Sequence, residues 1–284
     1  MDRKNQVIAV SPGRLSGSVQ APPSKSAAHR AIICAALARG TSIISNVALS
    51  DDISATIAAA KTLGAEIELR DSCVIINGVG QRPPFFGEDV FCNESGSTLR
   101  FFIPILLSVG GQFSVSGRGR LMQRPLDDYF HLFDEKGIQY NRQEQKISFS
   151  GKLSCGQYTL AGNVSSQYIT GLLFSLPLLS GDSEIVVTTP VESIGYIDMT
   201  LEMMKQFGVN VQKQEDYRRF YIKGNQTYCP CNLSVEADYS QAAFYLVANA
   251  LGSTVEVLGL NPKSAQGDKA IVDLIRKMQT DETV

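Results

Sequence analysis

Four stretches of this 284-residue chain place small hydroxyl or amide side chains directly before an apolar run. They are Ser24-Lys25-Ser26, Ser95-Gly96-Ser97-Thr98, Ser165-Ser166-Gln167 and Asp238-Tyr239-Ser240-Gln241. Such residues before a helical pattern mark a helix N-terminus. Free backbone amides and the positive end of the helix dipole make that terminus attractive to phosphate and carboxylate. N-capping alone explains any one of these junctions. Taken together, they hold more than caps need. Paired hydroxyls, and a glycine at Gly96 that lets a ligand approach the backbone, are extra. Lys25, with Arg30 and Arg100 one turn in, also puts positive charge where the dipole disfavours it unless an anion is near. Several such helix starts on one face form a multi-anion site.

Arg124 precedes Pro125, which is expected to open another helix, so its guanidinium is held at a helix start as well. Ser193-Ile194-Gly195-Tyr196-Ile197-Asp198 offers a hydroxyl and a phenol at the equivalent place further along. As a solvated loop, Arg118, Arg120 and Arg124 need no function. Asp51-Asp52 reads most simply as an N-cap pair. Pro23-Ser24-Lys25-Ser26 lacks the upstream glycine spacing of a Walker loop.

The elements that carry these junctions repeat. Apolar helical patterns run over 27–37, 99–107, 168–179 and 242–251, and each stops near a glycine: Gly40, Gly111, Gly181 and Gly252, at spacings of 71, 70 and 71. A short β-rich run follows each glycine, then a second helix. Three second helices end at Gly64, Gly137 and Gly208, and a fourth is expected over 268–278. Strand pairs such as 67–69 with 74–76 and 138–140 with 147–149 come next. A lead-in strand (17–22, 88–93, 156–161, 232–237) precedes each first helix. The chain is therefore α/β (α+β), built of β-α-β-α-β-β units. The first helices are apolar nearly all round and belong in a core.

Composition narrows the function. With 44% hydrophobic and 19% charged residues, a net charge of −2 and a pI near 5.8, the chain is an ordinary globular protein. It lacks the basic character of a nucleic-acid binder. No run of 18 apolar residues signals a membrane span. The polar start Met1-Asp2-Arg3-Lys4-Asn5-Gln6 has no signal-peptide core, so a cytoplasmic location is expected. Six scattered cysteines read as reduced thiols. Only Cys229-Pro230-Cys231 forms a close pair, and His29 and His131 are the only histidines, so no metal site is expected.

The segment from Pro23 to Arg30 resembles the lysine–serine–arginine motif of the 3-phosphoshikimate 1-carboxyvinyltransferase (EPSP synthase) family. Asn93 to Arg100 resembles its asparagine–glycine–threonine–arginine motif. Arg124-Pro125, Ser165-Ser166-Gln167, Ser193 to Asp198, Asp238 to Ala243 and Gln266-Gly267-Asp268 follow in the family's order. The resemblance implies an inside-out α/β barrel of the enolpyruvyl transferase type, with six units in two domains. Residues 21–236 then make a three-unit substrate-binding domain, and 1–20 with 237–284 form part of a second, whose first strands cross over. It implies metal-free and cofactor-free transfer of the enolpyruvyl group of phosphoenolpyruvate to the 5-hydroxyl of shikimate 3-phosphate, with release of phosphate, in aromatic amino acid biosynthesis. Small anionic substrates are the expected partners, with no nucleic acid or membrane.

By motif, Lys25 touches both substrates and is the one residue here expected to act catalytically. Ser26, Arg30, Ser165, Ser166, Gln167, Ser193 and Tyr196 hold or line shikimate 3-phosphate, and Gly96, Arg124 and Gln167 face phosphoenolpyruvate. Asp51, Ser97, Arg100 and Asp238 are further candidates. Ser97 and Phe101 stand where many family members have threonine and proline or leucine, a difference expected to bear on inhibitors more than on chemistry. Six units of about 71 residues need roughly 426, so the family's proton-transfer aspartate and lysine–glutamate pair are expected beyond residue 284. Little turnover is expected of this chain alone, along with self-association through exposed apolar surface of a molecule that is monomeric when whole. A UDP-N-acetylglucosamine enolpyruvyl transferase differs by a lysine–asparagine pair and a loop cysteine, whereas Lys25-Ser26 and the cysteine-free 116–124 stand here. A non-catalytic anion-binding protein is the alternative of another class.

Overall fold

The computed structural model describes residues 11–80 and 89–280; the polar start Met1–Gln6 and Glu88 lie outside them. Its elements in order are β1 (Ser16–Gln20), α1 (Lys25–Leu37), β2 (Arg39–Ser45), α2 (Asp51–Thr62), β3 (Glu66–Arg70), β4 (Cys73–Val79) and β5 (Asp89–Phe91). Next come α3 (Gly96–Val109), β6 (Gly111–Ser116), α4 (Asp127–Glu135), β7 (Gln139–Arg142), β8 (Lys146–Gly151), β9 (Gly156–Leu160), α5 (Ser166–Ser175) and β10 (Ser183–Val187). The chain continues with α6 (Ile194–Gln206), β11 (Val211–Lys213), β12 (Arg219–Ile222), β13 (Leu233–Ser234), α7 (Tyr239–Ala250), β14 (Thr254–Leu258) and α8 (Ala270–Gln279). The β-α-β-α-β-β order stands for three units and continues into a fourth.

Three four-stranded sheets form, ordered β13-β2-β4-β3, β5-β6-β8-β7 and β11-β12-β10-β9. Each joins one parallel pair to antiparallel neighbours. In the second and third sheets the parallel pair brackets a first helix, as β5-α3-β6 and β9-α5-β10. The first and fourth units exchange their lead-in strands. β1 pairs with β14 and β13 pairs with β2, and the chain crosses between them at Pro23 and Ala237.

The helices lie inside and the sheets outside. In α1, α3 and α5 nearly every residue from Ala27 to Leu37, Thr98 to Ser108 and Tyr168 to Ser175 is buried. Their apolar circumference demands it, and aromatic contacts such as Phe101 on Phe174 knit them together. α7 differs, with Phe244 72% and Leu251 79% exposed; α8 buries no residue and leaves Met278 70% exposed. No helix among the described residues is long and apolar enough to cross a membrane.

Several boundaries differ from expectation for local reasons. Ser50, not the Asp51-Asp52 pair, caps α2, because its hydroxyl accepts from the Ile53 amide. Pro125 does not open a helix; α4 starts two residues later, after a short 3-10 turn over Leu121–Gln123. Pro177 lacks an amide proton, and the third first helix tightens into a 3-10 turn at Leu176–Leu178 instead of running on to Leu179. The fourth second helix opens as a 3-10 turn at Gly267–Lys269 before α8. The lead-in strand expected over 232–237 is only β13, two residues long.

Candidate active site

Each first helix is capped as its junction demands. Ser24 accepts from Ala27 N, Ser95 from Thr98 N, Ser165 from Gln167 N and Asp238 from Ser240 N and Gln241 N. Capping therefore accounts for Ser24, Ser95, Ser165 and Asp238, and leaves the neighbouring residues available.

Those neighbours meet. A cavity of about 340 Å³ is lined by Ser26, Arg30, Ser97, Phe101, Val164, Ser165, Ser166, Gln167, Ser193 and Tyr196. The starts of α1, α3, α5 and α6 all contribute to it. Eight of the sequence-derived candidates thus share one wall, and the lining contains no carboxylate or imidazole. A larger concavity of about 730 Å³, over Gln157, Glu184 and Tyr221, lies on the β9–β12 sheet and lacks converging helix starts.

Arg30 is the cavity's fixed charge. It is buried, and its Nε donates to Thr200 Oγ1 at 2.8 Å, while its terminal nitrogens donate to the Ser26 and Tyr196 carbonyls at 2.8 and 2.9 Å. Its guanidinium lies 5.6 Å from the Phe101 ring centre and 5.8 Å from that of Tyr196. Burial pushes its pKa down to about 10, which leaves it charged at neutral pH. Among the described residues it has no carboxylate partner within 4.0 Å. The Tyr196 phenol is pushed up, first by burial and next by Asp268, and stays a proton donor. Ser193 sits in the left-handed region (φ 59°, ψ 42°) and makes no capping bond, so its hydroxyl remains available. Non-glycine residues held there concentrate at functional sites.

A second charged group adjoins the cavity. Arg100 donates to Gln167 Oε1 at 2.8 Å, and Gln167 Nε2 donates to Ser97 Oγ at 3.0 Å, which fixes how the amide points. A β-carbon built on Gly96 would lie 2.6 Å from an Arg124 terminal nitrogen and 3.1 Å from one of Arg100. Two guanidiniums therefore converge on the N-terminus of α3, and neither has a carboxylate within 4.0 Å among the described residues. Like charges so placed repel unless an anion joins them.

Lys25 stands apart from the cavity lining. Its ammonium donates to Asp52 at 2.7 Å, and this carboxylate supplies the anion that a lysine in a first helical turn requires. Asp52, rather than Asp51, is thus the acidic residue that pairs with Lys25, and reading the two as a cap pair hid it. Asp51 is exposed in the first turn of α2, and Asp238 is engaged as the cap of α7. Phe101, Val164 and Thr200 complete the surroundings; only Phe101 stood out in the sequence, and then only as a departure. All six cysteines are free, and no group of three or more described His, Cys, Asp or Glu residues could hold a metal ion.

His29, beside Arg30, is buried with Nδ1 2.7 Å from Thr56 Oγ1 and no partner for Nε2. Burial first, and Arg30 next, pull its pKa from 6.5 down to about 3, with Asp52 acting in the opposite sense. The unfolded chain binds a proton below pH 6.5 that the folded chain refuses, so stability is present above that pH and is lost as pH falls toward 3. Each pH unit in this window is worth about 1.4 kcal/mol. Acidification from pH 7 to 5 is expected to cost the wild type about 2 kcal/mol more than a His29→Asn variant, read from urea midpoints. Parallel losses in the two proteins would show that His29 is not the titrating group.

Residues 10–284 match the family model described as EPSP synthase (3-phosphoshikimate 1-carboxyvinyltransferase). A 3-phosphoshikimate 1-carboxyvinyltransferase of Clostridium perfringens (strain SM101 / Type A) is 49% identical over 273 residues, covering 95% of this chain and 64% of the relative. One from Clostridioides difficile (strain 630) is 46% identical over 282 residues, with the same coverage. An EPSP synthase structure from Acinetobacter baumannii superposes with a TM-score of 0.80 at 23% identity, covering 94% of this chain and 61% of that one, a likeness of fold. The chain thus spans about 64% of the length of the curated relatives it matches.

Proposed function

Since the chain belongs to the EPSP synthase family, we propose that its cavity binds shikimate 3-phosphate and that the Gly96–Arg100–Arg124 corner receives phosphoenolpyruvate. The observation that carries this reading is the convergence of Arg30, Arg100 and Arg124 on helix N-termini without carboxylate partners among the described residues. Ser26, Arg30, Ser165, Ser166, Gln167, Ser193 and Tyr196 offer hydroxyls, an amide and a guanidinium to one polyanion. Gly96 and Arg124, with Gln167 between the two groups, serve the second, and Lys25 reaches both when released from Asp52.

In the reaction of the whole enzyme, the 5-hydroxyl gives its proton to a base as its oxygen bonds to the enol carbon and the methylene takes a proton, leaving a tetrahedral intermediate. Loss of phosphate, and of a proton from the methyl group so formed, then restores the double bond as an enol ether. The cavity lining holds no residue suited to move those protons at neutral pH. The lining's part is therefore to bind and orient; Lys25, outside it, is the one residue here expected to act catalytically, and binding with little or no turnover is the expected behaviour. The same reading places residues 21–236 in one substrate-binding domain and 1–20 with 237–284 in part of another. The strand exchange of β1 and β13 supports that division, as does the separate small apolar cluster of Ala21, Ala237 and Ala242. It further carries a cytoplasmic location, and self-association through the exposed Phe244, Leu251 and Met278.

Calorimetric titration tests the assignment. Shikimate 3-phosphate is expected to bind at one site per chain and UDP-N-acetylglucosamine not to bind. The reverse preference would assign the cavity to the other enolpyruvyl transferase, and binding of neither would refute the proposed site.

A further inference from the structure

The unit repeat brings three buried hydroxyls to one position. Thr56, Tyr129 and Thr200 each lie eight residues before the glycine that follows a second helix, Gly64, Gly137 and Gly208. A second set of equivalents, His29, Arg100 and Thr170, lies five residues after the caps Ser24, Ser95 and Ser165. Within each unit the two positions are joined. His29 Nδ1 is 2.7 Å from Thr56 Oγ1, Tyr129 OH donates to the Arg100 carbonyl at 2.8 Å, and Thr170 Oγ1 is 3.2 Å from Thr200 Oγ1.

Each second-helix hydroxyl also reaches the next unit. Thr56 Oγ1 is 2.7 Å from Thr98 Oγ1, Tyr129 OH is 3.1 Å from the Tyr168 carbonyl, and Thr200 Oγ1 accepts from Arg30 Nε at 2.8 Å. The last link returns to the first unit and closes a ring. Proton accounting fixes the directions at Thr56 and Thr200, while Tyr129 shares its single proton between the Arg100 and Tyr168 carbonyls. Thr98 gives its proton to Ser95 Oγ, so it accepts from Thr56, and Thr56 in turn accepts from His29 Nδ1–H. Thr200 gives its proton to the Tyr196 carbonyl, so it accepts from both Thr170 and Arg30. All three hydroxyl-bearing residues are fully buried, where an unmade bond has no water to replace it.

We propose that Thr56, Tyr129 and Thr200 are positioning residues: their hydroxyls form a closed ring that couples the three first-helix N-termini and so sets the cavity between them. The ring stands on the geometry alone, and its effect on ligand rests on the shikimate 3-phosphate reading. Each link lies within a turn or two of a residue that faces the anion. Thr56 acts through Thr98 on the cap Ser95, beside Gly96 and Ser97. Tyr129 acts on Tyr168, next to Gln167. Thr200 acts on Arg30 directly.

Amide hydrogen exchange separates this ring from ordinary packing. Thr200→Val keeps the side-chain shape and removes the acceptor of Arg30. It is expected to speed exchange of the Ala28 amide, in the first unit, about tenfold, and to weaken shikimate 3-phosphate binding by a similar factor. Thr56→Val is expected to do the same to the Leu99 amide in the second unit. Thr200→Ser, which retains the hydroxyl, restores both readouts. Thr170→Val, which leaves Thr200–Arg30 intact, leaves the Ala28 amide unchanged. Faster exchange confined to α6 in Thr200→Val, with Ala28 at its wild-type rate, would overturn the ring. If wild type fails to bind shikimate 3-phosphate, the ligand reading falls, while the exchange data still decide the ring.

Discussion

Gly96→Ala is expected to weaken phosphoenolpyruvate binding, measured in the presence of shikimate 3-phosphate, at least about tenfold, while shikimate 3-phosphate alone binds within about twofold of wild type. The added methyl would sit 2.6 Å from the Arg124 terminal nitrogen and 3.1 Å from that of Arg100. Both atoms are the far ends of long side chains, and Arg124 is exposed, so the guanidiniums give way and the fold does not. Gly96 is the first residue of α3, where alanine is the better helix former by roughly 0.5–1 kcal/mol. Folding stability is therefore expected to hold or rise slightly as anion affinity falls. Equal loss of both ligands, or a drop in melting temperature, would place the methyl's effect in the fold rather than in the corner.

Arg30→Met is expected to abolish shikimate 3-phosphate binding, by about 100-fold or more, without destabilising the protein. Two magnitudes decide the sign. Burial lowers the Arg30 pKa from 12.5 to about 10, which corresponds to a cost of about 3 kcal/mol for keeping the charge. Removing the guanidinium relieves that cost. Against it stand three lost hydrogen bonds, but each acceptor keeps another partner. The Ser26 and Tyr196 carbonyls lie inside helices with their own backbone amides, and Thr200 keeps the Thr170 hydroxyl. Methionine keeps an unbranched aliphatic stem, though it gives up the guanidinium's place 5.6 Å from the Phe101 ring centre. The net change in stability is expected to lie between zero and a gain of about 3 kcal/mol, as when a buried charge is replaced by an apolar side chain. Guanidinium chloride unfolding measures it. A large loss of stability would mean that Arg30 serves the core, whereas unchanged affinity would remove it from the site.

These two residues also show what was legible in the sequence. Arg30 and Gly96 were visible because each breaks a local rule: a cation near a helix start, and a glycine beyond what a cap needs. The unit order was visible because the apolar periods and glycine stops recur at about 71 residues. Sequence patterning could not distinguish helices packed inward from sheets packed inward. The burial of α1, α3 and α5 on every side settles that. Local chemistry also hid some partners. Asp52 looked like half of a cap until Ser50 took that role and left the carboxylate to Lys25. Thr200 sits within an amphipathic helix and gave no local signal. Its equivalence to Thr56, 144 positions earlier, was present in the repeat, but its bond to Arg30 joins residues 170 apart and depends on how the units close.

Crystals of the chain grown with shikimate 3-phosphate are expected to show the ligand in the 340 Å³ cavity, within hydrogen-bond reach of Arg30 and Ser166, with Gln167 still bridging Arg100 and Ser97. An empty cavity at saturating ligand, or the ligand seated instead on the β9–β12 sheet, would contradict the proposed site.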